Sequence, residues 1–256
     1  MVRRQRIKAA DVAILEHVAR YHLTTATILS SALNLDEGDA GTALQRLTEA
    51  GALVSTLLAP EGEAIVCYQL TPWAAQQLGY DAAFARPLAR EARLECFAIA
   101  QFCCGGDVFR QLYTKTEFIE KFRAIWHRGQ PVRYYLEPSE SDRPRLAFLK
   151  VDTHGTGQWD RLIDACTKFL HKRIDVPHAN PAFRSQVAAF AELVRQGRFQ
   201  FSILTALPEK QRAIEIELDR RQGAGLSVPP ICVYVVPGLW EIMALRWSVA
   251  FEADLD

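Results

Sequence analysis

The sequence predicts an α/β (α+β) protein in two parts, an N-terminal winged helix-turn-helix followed by a mixed-sheet C-terminal domain. Three observations predict it. The first 80 residues contain three short helical patterns and then two β-rich runs; beyond them amphipathic helices alternate with apolar strand patterns; and no repeat or low-complexity tract interrupts either part. The expected boundaries are 1–80 for the winged helix, 81–106 for a connecting helix and 107–256 for the α/β domain.

Residues 8 to 21, KAADVAILEHVARY, place Val12, Leu15, Val18 and Ala19 at helical spacing, and Thr24 or Thr25 can cap the next helix, TATILSSAL. After the turn-like NLDEGD, the run AGTALQRLTEAGALV carries Ala40, Leu44 and Leu47 on one face, with Gly51 ending the helix. ALVSTLL and AIVCYQL, separated by APEGE, form a hairpin signal, and TPW opens a short helix with Pro72 in its first turn. Residues 86–104 read as a helix that stops at Gly105 and Gly106. A helix follows around 115–127, then strands at VRYYL and RLAFLKV and a helix over 160–173. FRSQVAAFAELVRQG and PEKQRAIEIELDRRQ are further helices, each followed by an apolar strand, FQFSILTAL and ICVYVV.

With 256 residues, 49% of them hydrophobic and 23% charged, the chain is expected to be a soluble globular protein able to bury a substantial core. It contains no run of about 18 apolar residues and no signal-peptide pattern, so the expected location is cytoplasmic and no membrane partner is expected. The six cysteines lack paired CxxC spacing and read as reduced core residues; Cys103 and Cys104 are too close together for ordinary chelation. The tryptophans Trp126, Trp159, Trp240 and Trp247 read as core or interface residues. GxxxxGK[ST], GxSxG and HExxH are all absent, and no cofactor is expected. Because the formal net charge is zero, any nucleic-acid function must rest on local patches.

The first local feature is the third helix. In a helix-turn-helix the second helix of the motif lies in the major groove, which here offers Asp39, Gly41, Thr42, Gln45 and Arg46. Gln45 suits adenine, Arg46 guanine or phosphate, and Thr42 phosphate, while the wing APEGEA would approach the minor groove without a basic residue. Residues 1–80 hold six basic side chains against eight acidic ones, and Arg3, Arg4, Arg6 and Lys8 supply four of the six. That arm is expected to contribute much of the attraction for double-stranded DNA. Elsewhere, His171, Lys172 and Arg173 end a helix, where cations suit the dipole, and they could also meet phosphate.

The second feature is the strand RLAFLKVDTH. A restriction-endonuclease-like core needs an acid at the end of one strand and an acid-x-lysine on the next, because two carboxylates hold the metal while the lysine helps to activate water. Here Glu137 ends one strand and Lys150-x-Asp152 follows in reversed order. Lysine thus stands where the metal ligand belongs. Glu137, Asp152 and His154 form the alternative nuclease site; the preferred reading is a strand end with solvated polar residues, no catalytic residue and no metal.

The winged helix followed by YLEP…RLAFLKVDTHGTGQWDRLIDACTKFL resembles the replication-relaxation family of plasmids and integrative elements, whose members join such a winged helix to a nuclease-like α/β domain. Asp152, Thr153 and Thr156 match its pattern, and Lys150 departs from it. The resemblance implies a DNA-associated regulator of a mobile element with a non-catalytic, nuclease-like fold. The expectation is therefore a DNA-binding transcriptional regulator, not an enzyme, acting as a homodimer with a possible protein partner at its C-terminal domain. The rivals are a metal-dependent nuclease or nicking accessory and a protein-interaction adaptor in replication or transfer.

Overall fold

The computed structural model describes residues 8–58, 65–106, 108–126, 132–137, 144–153, 159–174 and 181–244. The protein is a mixed α/β chain that divides into two compact units: one runs to Phe109 and resumes from Pro237, and the other spans Arg110–Val236. The boundary expected near residue 80 falls inside the first unit.

In the first unit, α1 (Ala9–Tyr21), α2 (Ala26–Leu33) and α3 (Glu37–Glu49) precede an antiparallel hairpin, β1 (Leu53–Leu57) and β2 (Val66–Leu70). Thr25 caps α2 by accepting from the Ile28 amide at 3.2 Å. Thr24 does not cap: its backbone pairs with Tyr68 in β2, and its hydroxyl meets His17 Nε2 at 3.0 Å. The α3 helix starts earlier than its apolar pattern suggests, because Asp36 caps it through the Gly38 amide and Glu37 and Asp39 lie in the first turn, where the dipole favours acids. It ends at Gly51, whose φ of 74° is open to glycine and lets the Ala52 amide return to the Leu47 carbonyl. Leu15, Val18, Leu29, Leu44, Leu47 and Leu53 form the core between these elements. The short helix α4 (Pro72–Gln77) follows, capped by Thr71, and α5 (Arg90–Cys104) packs on α1 and α2. So the segment expected to be a connector is part of this unit's packing.

In the second unit, α6 (Lys115–Phe122) begins with a reciprocal cap between Thr114 and Glu117. A four-stranded sheet follows in the order β3 (Tyr134–Glu137), β4 (Arg145–Val151), β5 (Phe199–Thr205), β6 (Ile231–Val235); β3 runs antiparallel to β4 and the rest are parallel. The parallel links need crossovers, supplied by α7 (Trp159–Ile174) with α8 (Pro181–Arg195), and by α9 (Pro208–Gly223). Strand pleating divides the side chains. Tyr134, Leu146, Phe148, Phe199, Phe201, Ile203 and Val233 share one face and pack with Phe118, Leu162, Ile163, Phe190 and Ile214 of the helices.

Arg173 lies in the last turn of α7, as expected; its guanidinium also donates to the Ile125 carbonyl at 2.7 Å, just beyond α6, and stacks 4.8 Å from the Phe190 ring centre. Arg221 of α9 donates to Asp164 of α7 at 2.8 Å and to Asp160 at 3.3 Å, joining the two helices.

All six cysteines are free, four of them buried. Trp126 and Trp159 are partly buried, Trp240 is exposed, and Trp247 lies outside the described residues. Among the described residues no helix is long and apolar enough to cross a membrane.

Burial lowers the pKa of His17 from 6.5 to about 4. The unfolded chain therefore takes up a proton that the folded chain refuses over this interval. The stability contributed by a neutral His17 should be complete above pH 6.5 and fall by about 3 kcal/mol as pH drops to 4. Urea unfolding of wild type and His17→Gln across this range checks the point: the wild-type slope should be the steeper, and equal slopes would show that His17 titrates normally.

Candidate functional site

The sequence-predicted interface lies on α3. Ala40, Leu44 and Leu47 face the core, which turns Gly38, Thr42, Gln45 and Glu49 outward, with Arg46 and Asp39 beside them. Thr42 and Gln45 are exposed, and the Gln45 amide donates to Glu49 at 3.2 Å. The stripe holds hydrogen-bonding groups but is not basic. Lys8 is exposed at the start of α1, whereas Arg3, Arg4 and Arg6 and the 59–64 turn lie outside the described residues.

Arg46 is not a loose surface cation. Its Nη1 and Nη2 donate to the two carboxylate oxygens of Asp11 in α1, at 3.1 and 2.5 Å. The Asp11 side chain is 6% exposed and that of Arg46 46%. Hydrogen bonding to Arg46 holds the Asp11 carboxyl below the usual range and raises the guanidinium above its own, outweighing the desolvation of each. This end-on grip uses the two terminal nitrogens and leaves the side formed by Nε and the outer Nη2 hydrogen turned away from Asp11. The apolar run AADVAIL gave one clue to this anchor, a single acid that a solvated face would not need.

Of the alternative nuclease residues, Glu137 and Asp152 do not come together. Glu137 pairs across β3–β4 with Arg145, at the start of β4, and Asp152 follows the end of β4. Seven residue steps separate those positions, about 23 Å at ~3.3 Å per residue. They also point to opposite faces: Asp152 lies on the face of Phe148, and Glu137 on that of Tyr135 and Ala147. One metal ion cannot bridge them. His154 lies outside the described residues. Among the described residues no group of three or more His, Cys, Asp or Glu side chains could hold a metal ion.

Each carboxylate has a structural partner instead. Glu137 accepts from Arg110 Nη2 at 3.1 Å and Nε at 3.2 Å, and from the Tyr135 hydroxyl at 2.5 Å. Tyr135 reaches Ser202 on β5 at 2.7 Å, across the small Ala147 of β4. Arg110 in turn lies over the Tyr234 ring.

Asp152 is not a solvated strand end: it is 2% exposed and forms an ion pair with Lys210, 4% exposed, from the first turn of α9. The sequence does hold a sign of Lys210. A lysine in a first turn opposes the helix dipole and needs a carboxylate nearby. Lys150 is half-buried and close enough to the Cys166 thiol to oppose part of the upward shift that burial imposes on it.

No family model, curated protein or solved structure matches the chain. What its residues can do therefore follows from their own geometry.

Because the ion pair is buried, removing one partner takes away the charge that compensates the other. Lys210→Met should destabilise the protein by about 3–5 kcal/mol, and adding Asp152→Asn should recover part of the loss. Equilibrium urea unfolding measures both. Full stability in Lys210→Met would mean that Asp152 is satisfied elsewhere.

Proposed function

We propose that the protein binds double-stranded DNA through a winged helix-turn-helix formed by α1–α3 and the β1–β2 hairpin, with α3 as the reading helix. The observation that carries this reading is the outward stripe of α3, where Thr42 and Gln45 stand beside an arginine that Asp11 holds in one orientation. A short turn between α2 and α3, with Asn34 at φ 53°, and a following hairpin suit that motif.

Gln45 would read a base edge, exchanging its contact with Glu49 for one with adenine. Arg46, gripped end-on, would offer its remaining side-on donors to a phosphate, which makes it a positioning group more than a base reader. Lys8 and the neighbouring Arg3, Arg4 and Arg6 would add sequence-independent attraction. Two copies on adjacent half-sites would raise the affinity of a weakly basic module. The likeness to the replication-relaxation family fits a regulator belonging to a mobile element, with the 110–236 unit as a nuclease-like scaffold in which Asp152 is tied to Lys210.

One observation favours a second reading. Glu37, Asp39 and Glu49 make α3 acidic, which suits a basic protein surface and thus an adaptor role.

Selection from a random duplex library, followed by gel shifts on the selected site, separates the two. Gln45→Ala should weaken that site by about 1–3 kcal/mol without a matching loss for random duplex, and Arg46→Ala should weaken both. If no sequence is enriched, or if Gln45→Ala binds the selected site as wild type does, α3 is not a DNA reader.

A further inference from the structure

The zero net charge conceals a division. Residues 110–236 contain 20 Lys and Arg against 14 Asp and Glu, a net of +6, and the rest of the chain contains 10 against 16, a net of −6. The unit proposed to read DNA is thus the acidic one. Attraction to a polyanion has to come chiefly from elsewhere.

Many basic side chains of the 110–236 unit are already engaged. Arg110 binds Glu137, Lys210 binds Asp152, Arg173 binds the Ile125 carbonyl, and Arg220 and Arg221 bind Glu217. The exposed face of α7 differs. Its two acids, Asp160 and Asp164, are both drawn to Arg221, and Lys168 and Lys172 stand exposed one turn apart with no carboxylate between them. His171 is exposed beside Lys172. Like charges at this spacing repel weakly in an isolated helix. The helix dipole offsets this for Lys172 in the last turn but does little for Lys168. Asp164 stands one turn before Lys168 but is shared with Arg221, so this end of α7 carries an excess of positive charge that suits an anionic partner.

We infer that the exposed stripe of α7, with Lys168 and Lys172 at its centre and His171 beside them, is a second DNA-contacting surface that binds the phosphodiester backbone without reading sequence. Side chains four apart on a helix lie about 5–6 Å from each other at Cβ, so their flexible stems can reach separate phosphates of one strand. Lysine suits this use, since it acts as a point charge without the geometric demand of a guanidinium fork. The identity of the partner rests on the DNA-binding reading above; the surface does not.

The test uses the full chain and a labelled random-sequence duplex, with anisotropy titrations over a range of salt. The double substitution Lys168→Ala, Lys172→Ala should weaken binding roughly 10-fold or more at about 0.1 M salt and reduce the slope of log affinity against log salt by about 2. Lys115→Ala, on the exposed start of α6, should change the slope little. An unchanged slope in the double variant would overturn the inference. So would an equal per-charge loss in Lys115→Ala, which would mean that overall charge acts and not this stripe. Anionic phospholipid vesicles serve as the other polyanion: lysine-dependent binding to vesicles with none to duplex would also overturn it. Gln45→Ala, measured alongside on the selected site, keeps the two questions apart. Loss in the lysine variant with no effect of Gln45→Ala removes the reading helix and leaves the α7 surface, and the converse removes only the α7 surface.

Discussion

Strand β4 has a partner on each side, antiparallel β3 and parallel β5, and the register of these two ladders decides where the polar side chains of its neighbours can act. Pleating sends Leu146, Phe148 and Asp152 to the face that packs on the helices and Ala147 to the face of Tyr135 and Glu137. A one-residue slip would exchange these two sets. It would put Asp152 out of reach of Lys210 and replace Ala147, over which Tyr135 reaches Ser202, with a bulkier side chain. The same register parts Glu137 from Asp152 and makes each a structural carboxylate with its own cation.

Charge placement follows a related logic at the surface. Arg221 draws Asp160 and Asp164 to the α7–α9 junction, while Lys168 and Lys172 stand exposed farther along α7. In the other unit Asp11 fixes Arg46, a side chain that otherwise has many rotamers. Preorganisation of this kind reduces the ordering entropy that binding must overcome. Ion pairs between helices contribute to both surfaces, Asp11 with Arg46 in one unit and Arg221 with Asp160 and Asp164 in the other.

The elements were legible where their signals are local. Apolar periodicity, Gly51, Pro72 and the strand runs located the helices and strands, including the order of the sheet-forming segments. The start of α3 was misread because Asp, Glu and Gly together look like a turn, although an acid-rich first turn behind Asp36 is also how a helix begins. The polar partners were not legible. Lys210 lies 58 residues beyond Asp152, Arg110 lies 27 before Glu137, and Asp11 lies 35 before Arg46, separations that no periodicity encodes. Reading Asp152 as solvated followed from its place after a strand, where the chain usually meets water; only the packing of α9 beside β5 and β6 removes that water.

Sequence reading, on this account, resides on one unit of the chain, and a second surface for backbone attraction on the other. Photo-crosslinking tests that division most directly, with a photoreactive side chain placed at position 42, beside Gln45 on the exposed stripe of α3, in one preparation of the full chain and at position 168 in another. The account predicts crosslinks from both, with those from position 42 confined to the selected site and those from position 168 also formed on random duplex and lost as salt is raised. Crosslinks from position 42 alone, or from neither position under low-salt conditions in which the protein is bound, would contradict it.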